Sequence, residues 1–178
     1  MTTTSRPVAH AFDFWVGEWD VFGPKGARVG TSSIVGVLGT GALAEHWHGV
    51  GGFEGHSLNA YDATRGHWHQ TWLDSSGGVL MLDGGLVDGS MVLEGLAPGE
   101  DPSAMLLQRI TWTPEDGGVR QHWESSADDG ASWTTVFGAL PHPGLMPAPD
   151  GRRTDRENAE QIASDIPDPV DCSAFSRR

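Results

Sequence analysis

Short segments of alternating apolar and polar residues, separated by turns rich in glycine and aspartate, follow one another from Gly17 to Phe137. The links between them are only a few residues long, as in Ala63-Thr64-Arg65-Gly66 and Pro114-Glu115-Asp116-Gly117-Gly118. Such links join sequential antiparallel strands, because a parallel pair would need a crossover helix. The sequence therefore predicts an all-β fold, and a meander of this length is expected to close into a barrel that hides its edges.

Ten candidate strands lie between these turns. They are Gly17–Phe22, Gly30–Leu38, Leu43–Gly49, Phe53–Tyr61, His67–Asp74, Val79–Asp83, Met91–Gly95, Met105–Thr113, Val119–Ser125 and Ser132–Phe137. This pattern predicts an antiparallel meander β-barrel of eight to ten strands, and residues 1–140 are expected to form that barrel domain.

The C-terminal residues differ in composition from the β-rich part. Four prolines from residue 141 to residue 149 predict an extended linker. Thr154 and Glu157 have the spacing of a capping box, and an apolar stripe follows them until Pro167. Residues 141–178 are therefore expected to form a Pro-rich linker, a short C-terminal helix and a loose tail.

The chain is strongly acidic. It has 24 Asp and Glu residues against 11 Lys and Arg residues, which gives a formal net charge of −13. The negative electrostatic field of such a chain repels phosphate backbones, so no nucleic-acid partner is expected. The single cysteine, Cys172, excludes an intrachain disulfide and predicts a reducing, cytoplasmic location. The sequence contains neither an apolar run of membrane-spanning length nor an apolar export signal in its first residues, so no membrane partner is expected.

One turn has a recognisable motif. Residues 126–133 have the S-x-D-x-G-x-S-W spacing of the hairpin turn called an Asp-box. In such a turn the carboxylate of Asp128 accepts backbone N–H bonds, and Gly130 takes a positive φ. A single copy in a small domain cannot form the blades of a propeller, so this motif predicts a structural turn.

The first strand follows an aromatic segment, Phe12-Asp13-Phe14-Trp15-Val16-Gly17-Glu18-Trp19. This segment predicts a single turn that caps one end of the barrel, and then a strand whose Trp19 indole points inward and plugs that end. The F-D-F-x-x-G-x-W opening resembles the G-x-W signature of the calycin superfamily, which contains lipocalins and fatty-acid-binding proteins.

Further segments extend the resemblance over about residues 11–137. They are Ala42-Leu43-Ala44-Glu45-His46-Trp47, Gly55-x-Ser57-Leu58-Asn59-x-Tyr61-Asp62, Trp68-x-Gln70-x-Trp72-x-Asp74 and Gly84-Gly85. Together they resemble bacterial lipocalin-like proteins that are grouped as a domain of unknown function. The resemblance implies a calycin-like barrel with an internal cavity, and it implies no single activity. The chain departs from the family pattern at Phe137-Gly138-Ala139-Leu140-Pro141, where a closing strand with a tyrosine is usual.

Side chains alternate along a strand, so each central strand has two faces, of which one lines the interior. In His67–Asp74, one face carries Trp68 and Trp72 and the other carries His67 and His69. Burying the indoles removes more apolar area from water, whereas imidazoles are readily solvated. The tryptophan face is therefore predicted to point inward.

This alternation gathers aromatic and polar side chains in the interior. The predicted ligand-contacting residues are Trp47, Ser57, Asn59, Tyr61, Trp68, Gln70, Trp72, Arg109, Gln121 and Trp123. Arg109 is included although the alternation of its own strand is ambiguous. A polar side chain buried without a partner costs about 1–3 kcal/mol, so the group must either form its own hydrogen-bonded network or serve a ligand. Concave aromatic surfaces with a few directed polar groups are typical of small-molecule pockets.

Two functions fit this interior, and the sequence does not decide between a binding protein and an enzyme. In the first, the barrel holds one small hydrophobic or aromatic molecule, with Glu45, Asn59 and Gln70 fixing its polar end. In the second, Glu45 or Asp74 is a desolvated general acid or base with a raised pKa, in an isomerisation, cyclisation or dehydration, and Arg109 opposes a developing negative charge. No cofactor is predicted. The sequence leaves open whether the chain forms a homodimer.

The opposite alternation would place four histidines inside the barrel, namely His46, His48, His67 and His69. Two H-x-H segments on different strands can supply imidazole ligands to one metal ion. No Asp, Glu or Cys shares that face in these two strands, and exposed histidines beside inward tryptophans explain the pattern without a metal. No metal site is therefore predicted, although the sequence does not exclude one on this histidine face.

Overall fold

The computed structural model describes residues 8–99, 101–136 and 173–177. Within these residues it contains two short 3-10 turns and eleven strands. The turns are Val8–His10 and Asp13–Trp15. The strands are β1 Gly17–Phe22, β2 Arg28–Val37, β3 Ala42–Gly49, β4 Glu54–Asp62, β5 His67–Asp74, β6 Val79–Val87, β7 Ser90–Pro98, β8 Met105–Glu115, β9 Gly118–Ser126, β10 Thr134–Thr135 and β11 Ser173–Arg177.

The strands form one antiparallel meander. Consecutive strands pair from β1 to β9, and β10 pairs with the last residues of β9. β11 pairs with β9 on one side and with β1 on the other, so ten strands form a ring. The predicted all-β, lipocalin-like meander barrel of eight to ten strands is confirmed.

The ring is closed by a strand that the sequence does not predict. The last residues were expected to form a loose tail, but Phe175 of β11 lies opposite Val21 in β1 and Val119 in β9. Without β11, the facing edges of β1 and β9 would each expose unpaired backbone N–H and C=O groups. β11 pairs with both edges and so satisfies their hydrogen bonds. The predicted Pro-rich linker and short C-terminal helix lie outside the described residues.

Aromatic side chains fill one end of the barrel, which we call the floor. Phe12 stacks on Trp15 with ring centroids 5.0 Å apart, and it meets Trp68 and Trp112 edge-on at 5.7 and 5.2 Å. All four side chains are fully buried. Trp19 is buried beside them, and its indole N–H donates to the carbonyl oxygen of Trp15 at 2.8 Å. The predicted aromatic turn and the inward indole of Trp19 are therefore confirmed, and offset and edge-on ring contacts stabilise this end of the barrel.

The Asp-box turn has its predicted structure. The carboxylate of Asp128 accepts hydrogen bonds from the Ser132 hydroxyl and backbone N–H at 2.6 and 2.7 Å, and from the Ser126 hydroxyl at 2.7 Å. Gly130 has a φ of 85°. The hydrogen bonds from Ser132, followed by the one from Ser126, lower the pKa of Asp128 to about 2.

Candidate functional site

The burial of the central strands confirms the inward tryptophan face. In β5, Trp68 and Gln70 are buried, whereas His67 and His69 lie half-buried on the other face. β4 alternates strictly between exposed and buried residues from Glu54 to Ala60. The histidines of these strands therefore lie on the outside of the barrel, as the burial argument predicts.

A chain of hydrogen bonds crosses four strands inside the barrel. Ser32 in β2 and Ser57 in β4 donate their hydroxyls to the two carboxylate oxygens of Glu45 in β3, each at 2.8 Å. Asn59 Nδ2 donates to Ser57 Oγ at 2.9 Å, and Gln70 Nε2 in β5 donates to Asn59 Oδ1 at 2.7 Å. All five side chains are buried, and together we call them the Glu45 network.

The network is polarised towards the carboxylate, because every donor in it points in the direction of Glu45. Burial of this carboxyl is the dominant influence on its pKa, and it raises the pKa from 4.5 to about 7. The hydrogen bonds from Ser57 and Ser32 oppose that rise without cancelling it. Glu45 therefore titrates near neutral pH, as the sequence predicts for a desolvated carboxyl.

Three indoles lie at the end of the barrel opposite the floor. The odd-numbered strands from β1 to β9 all run in one direction, and Trp47, Trp72 and Trp123 lie in the later halves of β3, β5 and β9. All three are only partly buried, and they pack against the core. We call them the tryptophan rim.

Two glycines let the rim indoles lie against the sheet. A Cβ at Gly55 would fall 2.2 Å from the ring of Trp72, and a Cβ at Gly30 would fall 2.7 Å from the ring of Trp47. Any side chain at either position would push the ring away, so these glycines set how the indoles lie. Trp123 is held differently, since its indole N–H donates to Gln108 Oε1 at 2.7 Å.

The strand register places the rim next to the Glu45 network. Trp47 follows Glu45 by two positions on the same face of β3, and it lies opposite Ser32 in β2. Trp72 in β5 lies directly opposite Ser57 in β4. Both hydroxyls that hold the carboxylate therefore have a rim tryptophan as their cross-strand neighbour, and the interior combines an acidic network with flat aromatic surfaces.

Two predicted ligand-contacting aromatics belong instead to the floor. Trp68 is fully buried against Phe12, and its indole N–H donates to the carbonyl oxygen of Val8 at 3.2 Å. Tyr61 lies beside it, with ring centroids 6.3 Å apart. The structure thus separates the predicted aromatic set into floor residues and rim residues.

Asp74 does not have the raised pKa that the sequence predicts. It lies at the turn between β5 and β6, where its carboxylate accepts the backbone N–H groups of Ser76 and Gly78 at 2.9 and 3.0 Å and also the Ser76 hydroxyl. Partial burial is the largest single influence and raises its pKa, but these hydrogen bonds together outweigh burial, and the pKa is lowered. The predicted raised pKa of Asp74 is therefore wrong, and the structure holds this carboxylate in the turn between β5 and β6.

Arg109 lies outside the Glu45 network. Its neighbours in β8, Gln108 and Ile110, are buried, and Arg109 lies on the other face. There its Nε donates to Glu94 Oε1 at 2.6 Å, and its guanidinium lies 3.7 Å from the centre of the Trp133 ring. The structure therefore gives Arg109 an ion-pair and cation–π role on the barrel surface.

Two polar residues of the interior were not among the predicted ones. Ser32 holds Glu45 and Gln108 holds Trp123, and both are buried. The alternation of Gly30, Ser32 and Ile34 along β2 is a signal that could have found Ser32. Gln121, which was predicted, is half-buried in β9 and lies opposite Trp112.

An open depression of about 250 Å³ lies beside the rim, at the edge of β4 and β5. It is lined by Glu54, Gly55, His56, Leu73, Asp74 and Ser75. Gly55 underlies the ring of Trp72, and Asp74 accepts the Trp72 indole N–H at 3.3 Å. The depression therefore borders the Trp72 side of the rim.

No family model matches the chain, and no curated protein matches it. Within the described part of the chain, no helix has the length and apolar character needed to cross a membrane.

Proposed function

We propose that the barrel binds one small, flat hydrophobic or aromatic molecule between the indoles of the tryptophan rim, and that the Glu45 network binds its polar end. One observation carries this proposal: the buried Glu45 carboxyl accepts hydrogen bonds from two serine hydroxyls, and each of these serines lies opposite a partly exposed tryptophan. We also propose that the chain is a lipocalin-like calycin, which the meander barrel and its Gly17-x-Trp19 opening support.

The cost of burying Glu45 supports a role beyond folding. Its side chain is only 7% exposed, and the ion has no cationic partner within the network. Replacing a buried charged group by a well-packed apolar one is often neutral or stabilising. A buried carboxyl with four polar side chains ordered towards it is therefore better explained by a ligand than by the needs of the core.

The chemistry of the two parts defines the ligand class. Indoles that lie against a sheet offer apolar ring surface to another flat ring. A carboxylate beside them accepts hydrogen bonds, and it attracts a positive or hydrogen-bond-donating group. The proposed ligand is therefore aromatic or hydrophobic at one end and carries an N–H or O–H donor at the other. A cytoplasmic location stays a prediction from the single cysteine.

Fluorescence titration with a neutral phenylnaphthylamine dye tests this proposal, because the dye combines aromatic rings with one N–H donor. We expect saturable binding that quenches the intrinsic tryptophan fluorescence, and at least about tenfold weaker binding in Trp72→Ala, which removes one face of the site. The control is Trp133→Phe, because the ring of Trp133 lies against Arg109 on the outer surface, away from the rim. Equal affinity in Trp72→Ala and Trp133→Phe would refute the rim site.

A second candidate function, acid/base catalysis, is favoured by one observation. Burial brings the pKa of Glu45 to about 7, where a carboxyl can both give and take a proton. Such a group would suit an isomerase, cyclase or dehydratase, in which a dry aromatic cavity shields an intermediate. Glu45→Gln separates the two functions, because the amide oxygen can still accept a hydrogen bond from a neutral bound molecule and so spares its affinity, whereas an amide cannot transfer a proton and stops turnover of a substrate. A variant that retains full turnover would exclude Glu45 as the catalytic acid or base.

A further inference from the structure

We propose that His46, His48 and Glu54, on the outer face of β3 and β4, form a binding site for a divalent transition-metal ion, with Zn²⁺ as the ion that its donors fit best. This site is on the opposite face of the sheet from the tryptophan rim, so it is independent of the proposed ligand site. It also differs from the histidine group that the sequence suggests, because Glu54 takes part and His67 and His69 do not.

The strand register assembles the donors. His46 in β3 lies directly opposite His56 in β4, and His48 lies directly opposite Glu54. The metal-binding atoms of His46, His48 and Glu54 all lie within 4.8 Å of one another. Because residues two apart on a strand share a face, these four side chains form one compact group on the barrel surface.

The distances are close to those of a zinc site. His48 Nδ1 lies 3.1 Å from Glu54 Oε1. Ligand atoms bound to a tetrahedral Zn²⁺ at about 2.0–2.1 Å are about 3.3 Å apart, so this pair already has nearly the required separation. The third donor, on His46, lies within 4.8 Å and needs only a side-chain adjustment to complete the set.

His46 contributes a nitrogen that the described residues leave unsatisfied. Its Nε2 atom is buried and has no hydrogen-bond partner among those residues. The ring is packed between two other imidazoles, with centroids 4.1 Å from His56 and 4.0 Å from His48. A buried polar atom without a partner costs about 1–3 kcal/mol, and coordination of a metal ion would remove that cost.

The donor set selects the class of metal. Imidazole nitrogens with one carboxylate are characteristic ligands of Zn²⁺, whereas Ca²⁺ and Mg²⁺ prefer sites built from oxygen atoms. Three protein ligands leave a fourth position for water. His56, stacked on His46 with an interplanar angle of 15°, acts as a positioning residue that fixes the ring of the ligand.

The second histidine pair of the outer face provides a natural comparison. His67 Nε2 and His69 Nδ1 lie 3.2 and 2.8 Å from Asp83 Oδ1, and Arg65 lies 3.8 Å from the same oxygen. His69 Nε2 also pairs with Thr71 Oγ1 at 2.8 Å. The nearby guanidinium disfavours a metal cation here, so His69→Ala is the matched control for the loss of one surface imidazole.

Zinc titration of the full chain, purified without a histidine tag and stripped with a chelator, tests the proposal. By calorimetry we expect one equivalent of Zn²⁺ to bind, without competition from an excess of Ca²⁺. His48→Ala should weaken binding by more than about 100-fold, since loss of a ligand exceeds the 10–100-fold effect of outer-shell residues. His69→Ala should bind as tightly as the wild-type protein.

A second variant, Glu54→Gln, keeps the size of the side chain and removes its charge, so it guards against a folding defect in His48→Ala. It should also lose Zn²⁺ affinity while its circular dichroism stays unchanged. Absence of saturable binding to the wild-type protein would overturn the site. Equal weakening by His48→Ala and His69→Ala would overturn it as well, because the ion would then be held by surface charge alone.

Discussion

The Glu45→Gln variant is expected to gain stability relative to the wild-type protein as the pH rises. In the folded protein, burial raises the pKa of Glu45 from 4.5 to about 7. Below pH 4.5 the carboxyl is neutral in both the folded and unfolded chains, so it carries no ionisation penalty there. Between these two values the unfolded chain loses the proton while the folded chain keeps it, and the free energy of unfolding falls.

The size of the effect follows from the two pKa values. Each pH unit between 4.5 and about 7 removes about 1.4 kcal/mol, so the loss reaches about 3 kcal/mol at pH 7 and does not grow further. Glutamine cannot ionise and avoids this loss. It must rearrange one of the two hydroxyl hydrogen bonds, at a cost of about 1 kcal/mol that does not depend on pH. The free energy of unfolding of Glu45→Gln should therefore rise by about 3 kcal/mol relative to that of the wild-type protein between pH 4.5 and pH 7.

Urea unfolding followed by circular dichroism, at several values between pH 4.5 and pH 8, measures this difference. The control is Asp128→Asn, because the pKa of Asp128 is lowered to about 2 and the carboxyl is ionised throughout this range. The difference in the free energy of unfolding between Asp128→Asn and the wild-type protein should therefore stay constant over this range. A constant difference for Glu45→Gln would contradict the claim that burial dominates at this carboxyl.

Three further predictions concern the fold. Gly55→Ala should destabilise the protein by about 1–3 kcal/mol in urea denaturation, because the new Cβ would fall 2.2 Å from the Trp72 ring. Displacement of that ring should also alter the intrinsic tryptophan fluorescence. Gly85→Ala is the control and should have little effect in the same assay, since Gly85 has open space around it. Asp128→Asn should be less stable than the wild-type protein at neutral pH, because the wild-type carboxylate is stabilised by its hydrogen bonds. The difference should disappear as the pH falls from 3.8 to about 2, where that carboxylate becomes protonated. Melting temperatures of both proteins, measured across this range, test the direction of the change. Deletion of residues 173–178 should expose the backbone edges of β1 and β9 and promote association, which size-exclusion chromatography would detect as species of higher mass than the wild-type protein. An elution profile like that of the wild-type protein would contradict the role of β11.

Local signals in the sequence account for most of the barrel. The turn signals placed β1 and β5 at Gly17–Phe22 and His67–Asp74, the bounds found in the structure. Two-residue alternation and the large apolar area of the indoles were enough to predict which face of β5 is buried, because both depend only on neighbouring residues in one strand. In β8, alternation did not predict the face on which Arg109 lies, because apolar residues occur on both faces of that strand.

The sequence by itself determined that the chain is an antiparallel β-barrel whose central strands turn their tryptophans inward and their histidines outward, because turn chemistry and burial preference act over a few residues. Only the tertiary structure decided that Ser32 and Ser57 hold Glu45, and that His48 meets Glu54 on the outer face. It also decided that β11 closes the ring. These contacts join residues on different strands, so they depend on the register of strand pairing, and the register is set by the packing of the whole barrel.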